Sequence, residues 1–254
     1  LTGEAEKNIR EKAFECISLT GFAVSKEKFA PAAATALNSM FANTKMSQLS
    51  DCNNDAIKRI CKVLGKDFAV FLPHFVPPIL QALELDDVFS TDIQGENEDD
   101  LVVAAENTML RVKTGQLTEM VALLNLLEVF MKCTAEGYLD FVHLTSAALA
   151  KLLCYPTSSD LSPITSELRD ALYPCWAELV GVSGTQGSLN GSLVSELVQN
   201  FVDQVGSDLV KADEADEIAS MASGIVTILH RAGIGTLRAE QVQRICELAV
   251  AEIN

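Results

Sequence analysis

Apolar residues recur at helical spacing along nearly the whole chain of 254 residues, and run after run stops near a glycine. Ile9, Ala13, Cys16, Ile17 and Thr20 fall on one helical face and are followed by Gly21. A second run passes through Phe29, Ala33, Leu37, Met40 and Phe41. The same plan returns four times. Ile57, Ile60, Cys61 and Leu64 precede Gly65; Met120, Leu123, Leu124, Leu127 and Phe130 precede Gly137; Leu168, Leu172, Cys175, Trp176 and Leu179 precede Gly181; Met221, Ile225, Ile228 and Leu229 precede Gly233. Each glycine is expected to close its helix through a left-handed backbone, and a partner helix follows.

Two of the glycine-to-glycine steps are about 44 residues, within the range of HEAT and armadillo repeats. A single helical hairpin cannot offset its own ordering entropy by burying one apolar face. Stacked hairpins share faces and can. The expected fold is therefore all-α, an α-solenoid of about five HEAT repeats in one continuous segment over 1–254. The hairpins are expected at 4–43, 47–85, 115–155, 160–211 and 212–254, with an acidic insertion at 86–113. Within the insertion, Leu101-Val102-Val103 and Met109-Leu110-Arg111-Val112 can pair as a small β-hairpin around Glu106-Asn107. A Gly- and Ser-rich stretch, 183–192, reads as a connection. Pro73, Pro77 and Pro78 are expected to start or kink their helix.

The formal charge is −16, which disfavours direct nucleic-acid binding and favours basic partners. Seven cysteines at wide spacing, with no CxxC, read as free thiols in a reducing compartment. The most apolar run, 68–80, is too short to cross a membrane and holds three prolines, so no membrane insertion is expected. Because the chain starts at Leu1 and takes a helical pattern within a few residues, it reads as a piece of something longer.

Motifs for chemistry are missing. His74, His143 and His230 are the only histidines, and they form no HExxH or paired His-Glu motif. Gly65-Lys66 lacks the upstream glycine and the following Ser or Thr of a phosphate loop. No GxSxG elbow occurs. The chain is therefore read as no enzyme, with no catalytic residue, metal or cofactor.

Glu15-Cys16-Ile17-Ser18-Leu19, continuing to Lys26-Glu27-Lys28-Phe29, resembles a central stretch of the karyopherin-β3 (importin-5) branch of the importin-β superfamily. So does Cys61-Lys62-Val63-Leu64-Gly65-Lys66-Asp67-Phe68 followed by Leu72-Pro73 and Pro77-Pro78. That branch also carries an acidic insertion ahead of a segment like Val112-Lys113-Thr114. The resemblance implies a nuclear transport receptor that shuttles between cytoplasm and nucleus. It further implies binding of basic cargo such as ribosomal proteins or histones on a concave surface, release on binding Ran-GTP, and contact with FG nucleoporins through outer helices. The alternative is a HEAT-repeat scaffold for another protein assembly.

Two candidate binding features follow. Glu196, Asn200 and Asp203 lie at i, i+4 and i+7, opposite Leu197 and Phe201, and form an acidic stripe suited to lysine-rich cargo. Asp86, Asp87, Asp92, Glu96, Glu98, Asp99 and Asp100 form an acidic loop with no basic residue. Trp176 sits in its helix's apolar stripe and is expected in the core.

Overall fold

The computed structural model describes residues 3–43, 50–83, 89–90, 100–105, 108–153, 162–184, 191–210, 212, 214–233, 235 and 237–251. Among these residues the chain forms five successive helix pairs. They are α1 Glu4–Thr20 with α2 Lys26–Asn43; α3 Asp51–Leu64 with α4 Leu72–Ala82; α5 Thr114–Thr134 with α6 Val142–Leu153; α7 Ser162–Ser183 with α8 Gly191–Leu209; and α9 Ala215–Ala232 with α10 Ala239–Ala251. The odd-numbered helices pack in chain order, α1 on α3, α3 on α5, α5 on α7 and α7 on α9. The even-numbered helices form a second layer in which α4 meets α6, α6 meets α8 and α8 meets α10. This is the two-layer stack expected of HEAT hairpins, and the fold is an α-solenoid.

Local chemistry explains the helix ends. Ser50 caps α3, its hydroxyl accepting the Asn53 backbone N–H at 3.4 Å. Short 3-10 segments, Gly65–Phe71 and Ala135–Phe141, join α3 to α4 and α5 to α6. Pro73 lies in the first turn of α4, where a missing N–H costs nothing. Pro77 and Pro78 lie inside α4, which runs on through them.

The glycines differ from expectation at three of five positions. Gly65 and Gly233 do end their helices at positive φ, 58° and 80°. Gly21 follows α1 in a right-handed conformation, φ −56°. A Cβ there would meet the Phe29 ring at 2.8 Å, so close approach and not handedness calls for glycine. Gly181 lies within α7, which continues to Ser183. Gly137 does not end α5 either. The helix stops at Thr134, and Ala135 carries the positive φ of 47°. Gly137 sits in the following 3-10 segment, where a Cβ would lie 2.6 Å from the Cβ of Ala69 in the preceding hairpin's 3-10 segment.

The core is continuous from Phe29 to Ile228. Phe68, Phe75 and Phe130 cluster with ring centroids 5.0–5.7 Å apart and tie the second hairpin to the third. Trp176 is fully buried against Phe201, and its indole N–H donates to the Leu197 carbonyl at 3.2 Å. In α1 the expected apolar face is turned outward. Ile9 is 62% exposed, Ala13, Cys16 and Thr20 are exposed, and Ile17 is half-buried. The reason is that α1 packs on α2 and α3, and its far side has no neighbour among the described helices.

Within the stretch from Cys52 to Ala82 an 18-residue window reaches a mean hydropathy of 1.3, enough by length and composition to cross a membrane. The stretch is folded as α3, a 3-10 segment and α4, and Ile57, Ile60, Phe68, Phe75 and Ile79 are buried inside the protein. In the insertion, strands β1 Phe89–Ser90, β2 Asp100–Ala105 and β3 Thr108–Lys113 form an antiparallel sheet in the order β1-β3-β2. The β2–β3 register pairs Leu101 with Val112 and Val103 with Leu110. Val112 is buried.

Candidate functional site

Helix α8 positions the acidic stripe. Val194, Leu197, Val198, Phe201, Val202 and Val205 are buried and fix the rotation of the helix. Three-point-six residues per turn then places Glu196, Asn200 and Asp203 together on the opposite face, and all three are exposed. The Gln199 side-chain amide donates to Asp203 at 2.6 Å and holds that carboxylate in place. One turn on, Gln204 donates to the buried Asp208 at 3.3 Å. The arrangement presents two carboxylates and an amide along about two helical turns, a set of acceptors matched to an ammonium group on an extended chain.

The acidic loop is only partly placed. Asp86, Asp87, Asp92, Glu96, Glu98 and Asp99 lie outside the described residues. Asp100 is described and is not in a loop. It opens β2 and stands opposite Lys113 in the ladder, because the hairpin begins one residue earlier than the apolar pattern suggests.

Sequence reasoning missed a groove between α7 and α9. Asp170, Tyr173, Pro174, Ser220, Ser223, Gly224 and Thr227 line a space of about 320 Å³. Ser220 donates to Asp170 across it at 3.2 Å. Gly224 lets the Tyr173 ring lie against α9, since a Cβ would fall 2.6 Å from that ring. The available signals were Pro174 inside α7 and a glycine inside the apolar stripe of α9.

Also missed were the ion pairs that cross the odd-helix layer. Arg169 on α7 pairs with Glu217 on α9, and both are buried. Glu178 on α7 accepts Arg231 from α9 and lies 3.7 Å from Lys132 of α5. Their residue types are ordinary for a helix surface, and only the stacking shows that Arg169, Glu178 and Glu217 are covered.

No protein-family model matches the chain. Over 81 residues it is 37% identical to importin subunit beta-3 of Saccharomyces cerevisiae, a match spanning 28% of this chain and 7% of that protein. Its fold matches solved structures of Kap121p. With Kap121p bound to Ste12p the TM-score is 0.77 at 19% identity, over 95% of this chain and 23% of the other. With the karyopherin Kap121p bound to the SUMO protease Ulp1p it is 0.73 at 20% identity, over 96% and 23%. With Kap121p bound to Nup53p it is 0.70 at 20% identity, over 95% and 23%. The chain thus spans less than a quarter of the length of the proteins it matches. In sequence and in fold, the resemblance is to an importin-β-type karyopherin.

Proposed function

We propose that this chain is a segment of an importin-β-type nuclear transport receptor that binds basic protein cargo, with release controlled by Ran-GTP. The observation that carries the reading is the solenoid match to Kap121p along 95% of the chain, joined to a stretch 37% identical to importin subunit beta-3. Known structures of Kap121p hold protein cargo and a nucleoporin, which supports protein partners of both kinds here. In this reading the protein shuttles between cytoplasm and nucleus.

The charge of −16 draws lysine-rich segments toward the solenoid, and the stripe of Glu196, Asn200 and Asp203 supplies contacts for them. Exposed carboxylates hold an ammonium group weakly one at a time, so binding depends on several acting along an extended peptide. The acidic residues Asp86, Asp87, Asp92, Glu96, Glu98, Asp99 and Asp100 add to the field in this reading. FG nucleoporins are assigned to the odd-helix layer, where the α7–α9 groove offers a ring-sized, partly apolar opening.

The test is a titration with a fluorescent lysine-rich peptide. Affinity is expected to fall about tenfold or more between about 50 and 300 mM salt, because screening shortens the reach of the carboxylates. Reversing Glu196 and Asp203 to lysine is expected to weaken binding by about tenfold at low salt, since like charge replaces attraction. Ran loaded with GTP, but not with GDP, is expected to displace the peptide. Binding that ignores both the salt and the charge reversal overturns the assignment of the stripe. Absence of any peptide, Ran or nucleoporin binding favours the scaffold reading.

A further inference from the structure

The antiparallel sheet of the insertion leaves one edge open. Its order is β1-β3-β2, so β2 is an outer strand, and among the described residues no strand pairs with its far side. The register shows which groups face outward. The β2–β3 ladder closes at Ala105 and Thr108, with only Glu106 and Asn107 between them in sequence, and a pair closed so tightly exchanges both of its hydrogen bonds. Hydrogen-bonded pairs alternate along such a ladder, so Val103 bonds to Leu110 and Leu101 to Val112. The backbone N–H and C=O groups of Val102 and Ala104 therefore point away from β3.

Sheet edges are commonly guarded by lysine, proline or a bulge. Residues 101–105 carry no charge and no proline, and the pairing runs from Asp100 to Ala105 without a bulge. Val102 is 40% exposed although apolar. An unguarded edge is a template for a further strand. A second copy of this chain suits it poorly, because each copy carries a charge of −16 and Glu96, Glu98, Asp99 and Asp100 lead directly into β2. The same charge favours a basic strand.

We propose that the outer edge of β2 takes an extended segment of a basic protein as a fourth strand, bonded to the backbone of Val102 and Ala104. The site offers a second place of docking for the basic partners assigned above, and it rests on that reading. Backbone bonding accepts any segment that can extend, so selection comes from charge and alternation. Alternate residues of a strand share a face. Val102 shares its face with Asp100 and Ala104, whereas Leu101, Val103 and Ala105 share theirs with the buried Val112 of β3. A segment alternating lysine with valine can set its lysines on the face of Asp100 and its valines on the face of Val112.

The experiment uses the whole chain and an eight-residue peptide alternating lysine and valine, either unmodified or N-methylated on its lysine amides or on its valine amides. Alternate amides of an extended peptide face opposite edges, so methylation of one set removes the donors to β2 and methylation of the other does not. One methylated peptide is expected to bind about tenfold more weakly than the unmodified one, and the other nearly unchanged. With the unmodified peptide bound, the Val102 and Ala104 amides should exchange with deuterium about tenfold more slowly, while those of Leu101, Val103 and Ala105, already bonded to β3, change little. Val102→Pro removes an outward N–H, spares the bonds to β3 and should weaken binding about tenfold. Should that variant distort the sheet, the two methylated peptides on the unaltered chain decide. Equal binding of both methylated peptides, or binding that leaves Val102 and Ala104 exchanging freely, overturns the edge site and leaves basic partners in place. No binding of the unmodified peptide at low salt overturns the edge site and the basic-partner reading together.

Discussion

At the scale of single residues, the most informative pair is Gly65 and Ala135. They occupy matching places in successive hairpins, each ending a long helix and opening a 3-10 segment. Their backbones agree, φ 58° and ψ −128° against φ 47° and ψ −111°. Glycine adopts this conformation without a Cβ penalty, whereas alanine is strained by about 1–2 kcal/mol. Ala135→Gly is therefore expected to stabilise the protein by about 1 kcal/mol, net of the extra freedom glycine gives the unfolded chain, read as a higher urea midpoint. Two residues on, Gly137→Ala should act oppositely. Its new Cβ would sit 2.6 Å from that of Ala69, and separating two packed backbones costs about 1–3 kcal/mol. Equal signs for the two substitutions would show that the turn is not built this way.

At the scale of elements, the helices were legible because burial on one face imposes a spacing that survives in the residues. Phe75, Val76 and Ile79 on α4, or Leu197, Phe201 and Val205 on α8, announce both the helix and its inner side. The stripe of Glu196, Asn200 and Asp203 was readable for the same reason, as the complement of that face. What was not legible is whatever depends on a neighbouring hairpin. Ile9 and Cys16 form a good apolar face and yet are exposed, since none of the described helices packs on that side of α1. Gly137 looks like a helix stop and is a contact between two hairpins. Arg169 and Glu217 look like surface charges and are buried as a pair between α7 and α9. Removing one partner strands a charge in the interior, so Arg169→Met is expected to cost about 3–5 kcal/mol. Replacing both, Arg169→Met with Glu217→Leu, should recover most of that loss. A double variant no more stable than Arg169→Met alone would show that the guanidinium matters for contacts other than this pair.

At the scale of the whole molecule, the packing is local. Each odd helix rests on the one before and the one after, so stability is a sum of hairpin terms and nearest-neighbour interface terms. The weak point of such an array is wherever one interface rests on a few side chains. Between the second and third hairpins that place is Phe130, whose ring meets Phe68 at 5.0 Å and Phe75 at 5.4 Å. Phe130→Ala leaves a cavity there and is expected to cost about 3–5 kcal/mol. The loss falls on the joint between hairpins, so it should also separate their unfolding. Trp176 is the chain's single tryptophan and is buried in the fourth hairpin, so its fluorescence reports the C-terminal side alone, while circular dichroism reports every helix. In the unaltered chain the two signals should trace one urea transition. In Phe130→Ala the dichroism should begin to fall at lower urea than the fluorescence, because the hairpins before the joint melt while Trp176 stays covered. Coincident but lowered transitions in the variant would mean that coupling runs through the remaining α3–α5 contacts, and that the three phenylalanines add stability without setting cooperativity.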